Sequence, residues 1–178
     1  MTERTPESLI SLFNGLFSET LNTELVKGDD EPIYLPADAE HPKHRIIFAH
    51  GFFASALHEI SHWCIAGAQR RERVDFGYWY KPDGRTASEQ AEFERVEVRP
   101  QALEWLLSEA TGHKFHFSAD NLGSAIGASE QFKENVLTQV KAYLTNGIPE
   151  RPAALIKVLQ RYYATAPLSA ERFSLDGK

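Results

Sequence analysis

His58-Glu59-Ile60-Ser61-His62 is the segment of this chain whose residue types and spacing could do chemistry. On a helix, positions i and i+4 stand one turn apart on the same face. Two imidazoles so placed can hold one metal ion, with the intervening carboxylate beside them. The flanking residues are apolar: Phe52, Phe53, Ala54, Ala56 and Leu57 on one side, Trp63, Cys64, Ile65 and Ala66 on the other. A helix apolar nearly all round is expected to be largely buried. A buried imidazole or carboxylate without a partner costs roughly 2–7 kcal/mol, so something must satisfy all three groups. A metal ion with its supporting hydrogen bonds would do so. The alternative is two core histidines bonded to carbonyls and one buried, paired glutamate.

Two histidines do not complete a metal site, and a third protein ligand is required. The next helical segment, Glu92-Phe93-Glu94-Arg95-Val96-Glu97, supplies the candidates. A carboxylate from the helix after the motif is the usual completion in Glu-type zincins. Glu97 is preferred over Glu94 because Val96 and Val98 flank it, which favours an inward side chain. Two chemistries remain open on such a site. With zinc, Glu59 would be the general base that activates a metal-bound water. With iron, two histidines and a carboxylate form the facial triad of non-haem oxygenases.

Other polar residues are weaker candidates. His50 could line the site or shuttle protons, although a structural role is the simpler expectation. The pairs His41/His44 and His113/His116 are read as non-ligands. Cys64 falls about 200° around the helix from His62 and is expected to be an ordinary small side chain. Asp29, Asp30, Glu31, Asp38 and Glu40 form an acidic loop, either solvated or a rim that attracts a cation. Asp75 with Tyr78, Trp79 and Tyr80 could bind an alkylammonium group by ion pairing and cation–π contact, or could serve as core of a strand.

The elements that must position these residues can be read from periodicity. Thr5 as N-cap and Pro6 as first helical residue open a helix carrying Leu9, Leu12, Phe13, Leu16 and Phe17. Residues 27–38 form a loop with a short strand at Ile33 to Leu35. Arg45 to Ala49 is a buried strand. The motif helix runs from Phe52 to Ala66 and closes at Gly67 as its C′ residue. Val74 to Tyr80 alternates as a strand, and Lys81-Pro82-Asp83-Gly84 is a turn. Ser88 to Ala110 is helical, with Pro100 expected to break or kink it near Val98. Phe115 to Phe117 reads as a short strand. Gln131 to Asn146 is a helix, and Pro152 opens a last one carrying Leu155, Leu159 and Tyr162. The tail after Pro167 is expected to be flexible. The sum is a mainly helical α+β single domain, residues 1–178, with a small sheet and a zincin-like placement of the motif helix.

Composition narrows the function classes. The chain has 178 residues, 42% of them hydrophobic and 25% charged, which suits a globular domain. Nineteen Lys and Arg face 25 Asp and Glu, a net charge of -6, so the electrostatics of a nucleic-acid binder are missing. One cysteine cannot pair within the chain, which fits a reducing compartment. No apolar run suits a signal peptide or a membrane span. A cytoplasmic protein is expected. No glycine-rich dinucleotide fingerprint follows a strand, and the H-x-D pair of 2-oxoglutarate enzymes is missing.

Longer strings carry a resemblance. Lys27-Gly28-Asp29-Asp30-Glu31-Pro32-Ile33-Tyr34-Leu35-Pro36-Ala37-Asp38-Ala39-Glu40, Phe48-Ala49-His50-Gly51-Phe52 and His58 through Gly67 resemble the bacterial elongation factor P hydroxylase family. So do Val74 through Tyr80, Pro100-Gln101-Ala102-Leu103 and Asn146 through Ala153. The likeness runs in order from near residue 8 to about residue 165, and is least from Ser118 to Glu130. It implies a metal-dependent enzyme that hydroxylates the β-lysylated lysine of translation elongation factor P with O2. The implied cofactor is Fe(II), with Zn able to occupy the purified protein; the electron donor is unknown. His58 and His62 become ligands, Glu97 is inferred as the third, and Glu59 would handle protons. Asp75 and Tyr78 would meet the cationic lysyl extension. A zinc-dependent peptidase or amidase, and a non-catalytic docking factor with a structural metal, stay open as alternatives.

Overall fold

A computed structural model describes residues 2–75, 85–118 and 128–176. It opens with helix α1, Pro6–Phe17, where the Thr5 hydroxyl accepts a hydrogen bond from the Ser8 backbone N–H at 3.1 Å. This is the cap expected of Thr5 with proline behind it. Strands β1 (Thr23–Lys27), β2 (Ile33–Leu35) and β3 (His44–Phe48) form a sheet in the order β1-β3-β2. β1 runs parallel to β3, pairing Thr23 with His44 and Lys27 with Phe48. β2 is antiparallel to β3, pairing Ile33 with Ile47. β1 is an addition to the elements expected from the sequence.

Helix α2, Phe53–Ile65, carries the motif. Ala56, Leu57 and Ile60 are fully buried, while Phe52, the residue before the helix, is 62% exposed. The helix does not end on a left-handed Gly67. Ala66 leaves it in extended geometry, φ −59° and ψ 132°, and Gly67 has no positive φ.

Helix α3, Ala87–Thr111, begins with a reciprocal capping box between Thr86 and Glu89 and ends on Gly112 at φ 77°. That left-handed value is the reason for glycine there. The helix passes through Pro100 without ending. Proline in a helix interior costs about 3 kcal/mol. Ala102, Leu103 and Leu106, in the turns just beyond it, are fully buried, and a buried leucine side chain gains about 1.5–3 kcal/mol. Packing therefore outweighs the local break.

Helix α4, Glu130–Asn146, is capped by Ser129. Helix α5, Glu150–Tyr163, starts two residues before Pro152, and it buries Tyr163 where Tyr162 was expected; Tyr162 is exposed. One hydrophobic core joins the helices and the sheet. Phe115 to Phe117 is not a strand. Its partner is a side chain: the Gln101 amide donates to the Ser118 carbonyl at 2.9 Å and accepts from the Ser118 N–H at 3.0 Å. The segment after Pro167 docks. Phe173 is 2% exposed against the Trp105 ring, and Arg172 pairs with Glu109 at 2.6 Å. Among the described residues, no helix is long and apolar enough to cross a membrane.

Candidate metal centre

α2 and α3 bring His58, His62 and Glu97 together, with one ligand atom from each lying within 4.8 Å of the others. The two Nε2 atoms are 3.1 Å apart. His62 Nε2 lies 3.1 Å from Glu97 Oε2, and His58 Nε2 lies 3.7 Å from Glu97 Oε1. A metal 2.0–2.2 Å from each donor needs cis ligand atoms about 3.0 Å apart in octahedral geometry and about 3.4 Å in tetrahedral geometry. The two 3.1 Å separations lie between these values, and the 3.7 Å one is slightly wider than either. Two imidazoles and one carboxylate are also a donor set that zinc and iron both accept, so the residues present fit a divalent transition metal.

Glu104 is the residue that the sequence reading missed. Two turns after Glu97 on α3, it accepts from His58 Nδ1–H at 2.6 Å and is 5% exposed. This bond fixes the tautomer, leaving Nε2 for a metal. The flanking-residue argument that selected Glu97 applies equally to Glu104, which stands between Leu103 and Trp105. Gln101 lies between the two glutamates on the same face, and its Nε2 approaches Glu97 Oε1 at 3.4 Å.

Charge is concentrated here. Burial alone would lower the His58 imidazole. Glu104, by charge and hydrogen bond, then Glu97 and Glu59, override that and hold it up to about 10. Burial would raise the Glu97 carboxyl, but His62, His58 and Gln101 bring it below the ordinary value. Glu59 moves the other way: burial raises it against the pull of His58 and His62.

Glu59 and His62 line a small cavity of about 20 Å³, room for about one water, together with Tyr34, Trp63, Arg71 and Asp75. Asp75 joins the sheet edge by an antiparallel bridge to Tyr34. Its carboxylate is gripped by Arg70, whose Nε and Nη2 both donate to it. Tyr78 and the rest of the aromatic run lie outside the described residues, as does the turn at Lys81 to Gly84. Glu94, the rival third ligand, is engaged elsewhere. It accepts from the Ser129 N–H at 3.0 Å and from the Ser129 hydroxyl at 2.9 Å. His50 is exposed, with Nδ1 3.7 Å from Asp30. His44 Nδ1 accepts from the Ala37 N–H at 2.8 Å. Cys64 stays outside the triad, and burial pushes its thiol up to about 12.

The comparisons with known proteins agree with one another. The family model described as elongation factor P hydroxylase matches residues 12–173. A curated protein of Haemophilus influenzae (strain ATCC 51907 / DSM 11121 / KW20 / Rd) is named elongation factor P lysine hydroxylase. It is 54% identical over 159 residues, covering 89% of this chain and 89% of its own.

Proposed function

This chain belongs to the elongation factor P hydroxylase family, and we propose that it hydroxylates the β-lysylated lysine of translation elongation factor P in the cytoplasm. The reading takes O2 as co-substrate and Fe(II) as the metal, held by His58, His62 and Glu97. The observation that carries it is the convergence of these three donors with the Glu104 buttress behind His58. Iron(II) supplies the single-electron steps that O2 needs to react with a C–H bond, and a facial triad leaves positions open.

The chain's own residues do the rest. Glu104 holds the Nδ1 proton, so the His58 Nε2 lone pair faces inward. Glu97 brings a negative charge that offsets part of a dication's charge. Glu59 stands in the cavity beside His62 and serves to hold or pass a proton at its carboxylate. The lysyl extension approaches His62 from this side, past the Trp63 and Tyr34 rings that line the small cavity. Asp75 and Tyr78 are its proposed contacts. Because Arg70 already grips Asp75, this carboxylate offers a shared acceptor rather than a free charge.

The test is an intact-mass comparison. β-Lysylated elongation factor P is incubated aerobically with Fe(II) and either this protein or its His62→Ala variant. Gain of one oxygen atom with the unaltered protein alone is expected. Cleavage of the factor would replace the reading with a zinc-type hydrolase having Glu59 as base. Binding without any mass change, under every reductant tried, would leave a docking factor with a structural metal.

A further inference from the structure

We propose that a second cavity, on the His58 side of the triad, binds a small carboxylate or enediolate anion that serves as the electron-donating co-reactant. The role as co-reactant rests on the hydroxylase reading; the binding site does not. The cavity has a volume of about 210 Å³ and opens to solvent. Its walls include His58 and Glu104, so one imidazole both lines it and reaches the triad. His113, Lys114 and His116 line it as well.

The charge there runs against the rest of the molecule. The chain has a net charge of -6, yet three basic side chains meet within four consecutive residues. Arg4 adds its charge on His113: burial first, then His116 and Arg4, hold that imidazole below its ordinary value. Glu104 is the one carboxylate among the described lining residues, and it is consumed by His58. Lys114 has no ion pair among the described residues. With the Lys114 ammonium, two imidazoles able to donate hydrogen bonds and no free carboxylate among the described lining residues, the pocket suits a small anion.

Hydroxylation requires such a partner. Converting C–H and O2 into C–OH and water consumes two further electrons and two protons. An enediol supplies both pairs as it becomes a dione. A 2-oxo acid balances the reaction otherwise, losing CO2 and keeping the second oxygen atom in its new carboxylate. Both are small anions. The sequence has neither a glycine-rich dinucleotide cradle nor an H-x-D pair, which makes the enediol the expected donor.

The test begins with binding. Zn(II)-loaded protein is titrated with ascorbate, 2-oxoglutarate and succinate while histidine ring resonances are followed by NMR. Saturable shifts at His113 and His116 are expected with ascorbate, and reversing the charge with Lys114→Glu should weaken binding about tenfold or more. In the Fe(II) reaction, the same variant should raise KM for the anion by the same factor and leave KM for elongation factor P unchanged. Formation of the dione marks the enediol as donor, and CO2 from carboxyl-labelled 2-oxoglutarate marks the oxo acid. The site is overturned if no probe saturates by about 10 mM, beyond the usual range of substrate constants. It is also overturned if Lys114→Glu and His116→Ala both leave binding unchanged. Full hydroxylation with a protein reductant and no small anion overturns the co-reactant role. If elongation factor P gains no oxygen under any condition, the hydroxylase reading fails, and the titration alone still decides the anion site.

Discussion

Replacing Glu104 by glutamine separates the two things that this carboxylate does to the metal centre. Gln keeps the shape and can still accept from His58 Nδ1–H, but it removes the charge. In the metal-free protein the wild-type imidazole is held up to about 10, chiefly by Glu104 acting against burial. A metal must displace that proton. Between pH 7 and about 10 lie three factors of ten, so displacement costs the ion about 4 kcal/mol at pH 7. In Glu104→Gln the largest raising influence is gone and this cost shrinks. Against that stands the loss of the charged support, which typically lowers metal affinity about 10–100-fold. At pH 7 the two effects oppose each other. At pH 7 the proton cost is the larger, so the variant should bind more tightly; as pH rises that cost fades in the wild type, the advantage of the variant shrinks, and it falls behind only as pH nears the raised wild-type value. Titration calorimetry with Zn(II) between pH 6.5 and 8.5, in buffers of different ionisation enthalpy, reads both quantities. The wild type should release about one more proton per ion bound than the variant at pH 8. Equal proton counts, or an affinity gap that does not change with pH, would refute the reasoning.

The same proton sets the stability of the metal-free protein. A histidine whose folded value is raised contributes in full below its ordinary value near 6.5, and the contribution is lost as pH climbs toward about 10. The metal-free Tm should fall over that interval in scanning calorimetry, and a rise would contradict the ion-pair geometry. Glu59→Gln should reduce the hydroxylation rate only modestly, whereas a hydrolytic base would lose about 100-fold or more, so single-turnover kinetics decide between them. Phe173→Ala should cost about 3–5 kcal/mol in urea unfolding, since the ring is 2% exposed against Trp105. A loss below about 1 kcal/mol would mean that the docked C-terminal segment adds little to the core.

The pairing of His58 with His62 was legible because its signal is local: two histidines at i and i+4 in apolar sequence need only a helix to meet. Glu97 was legible from its valine neighbours. Glu104 passes the same test, but a carboxylate that supports a histidine through Nδ1 has no spacing signature of its own in the sequence. The Arg70–Asp75 grip was not legible at all. A loop pair five residues apart has no period, and the spacing left Asp75 looking available to a substrate. β1 was missed because five residues give only two buried positions, Thr23 and Leu25. The expected strand at Phe115 to Phe117 failed for a different reason. The alternation is real and the rings are packed against Trp105, but the hydrogen-bond partner is the Gln101 side chain, which no periodicity reveals.

Pro100 lies between Glu97 and Glu104 on α3 and has no N–H for the Val96 carbonyl. The two carboxylates, about 10 Å apart along the axis, thus stand on either side of a missing rung. The turns beyond it are sunk in the core, while those before it are largely half-buried or exposed. Fraying that starts at Ala87 reaches Glu97 first and can stop at the proline, leaving Glu104 on His58. An ion held by the three donors would then lose Glu97 before the histidines, because His58 keeps the Glu104 bond that orients it.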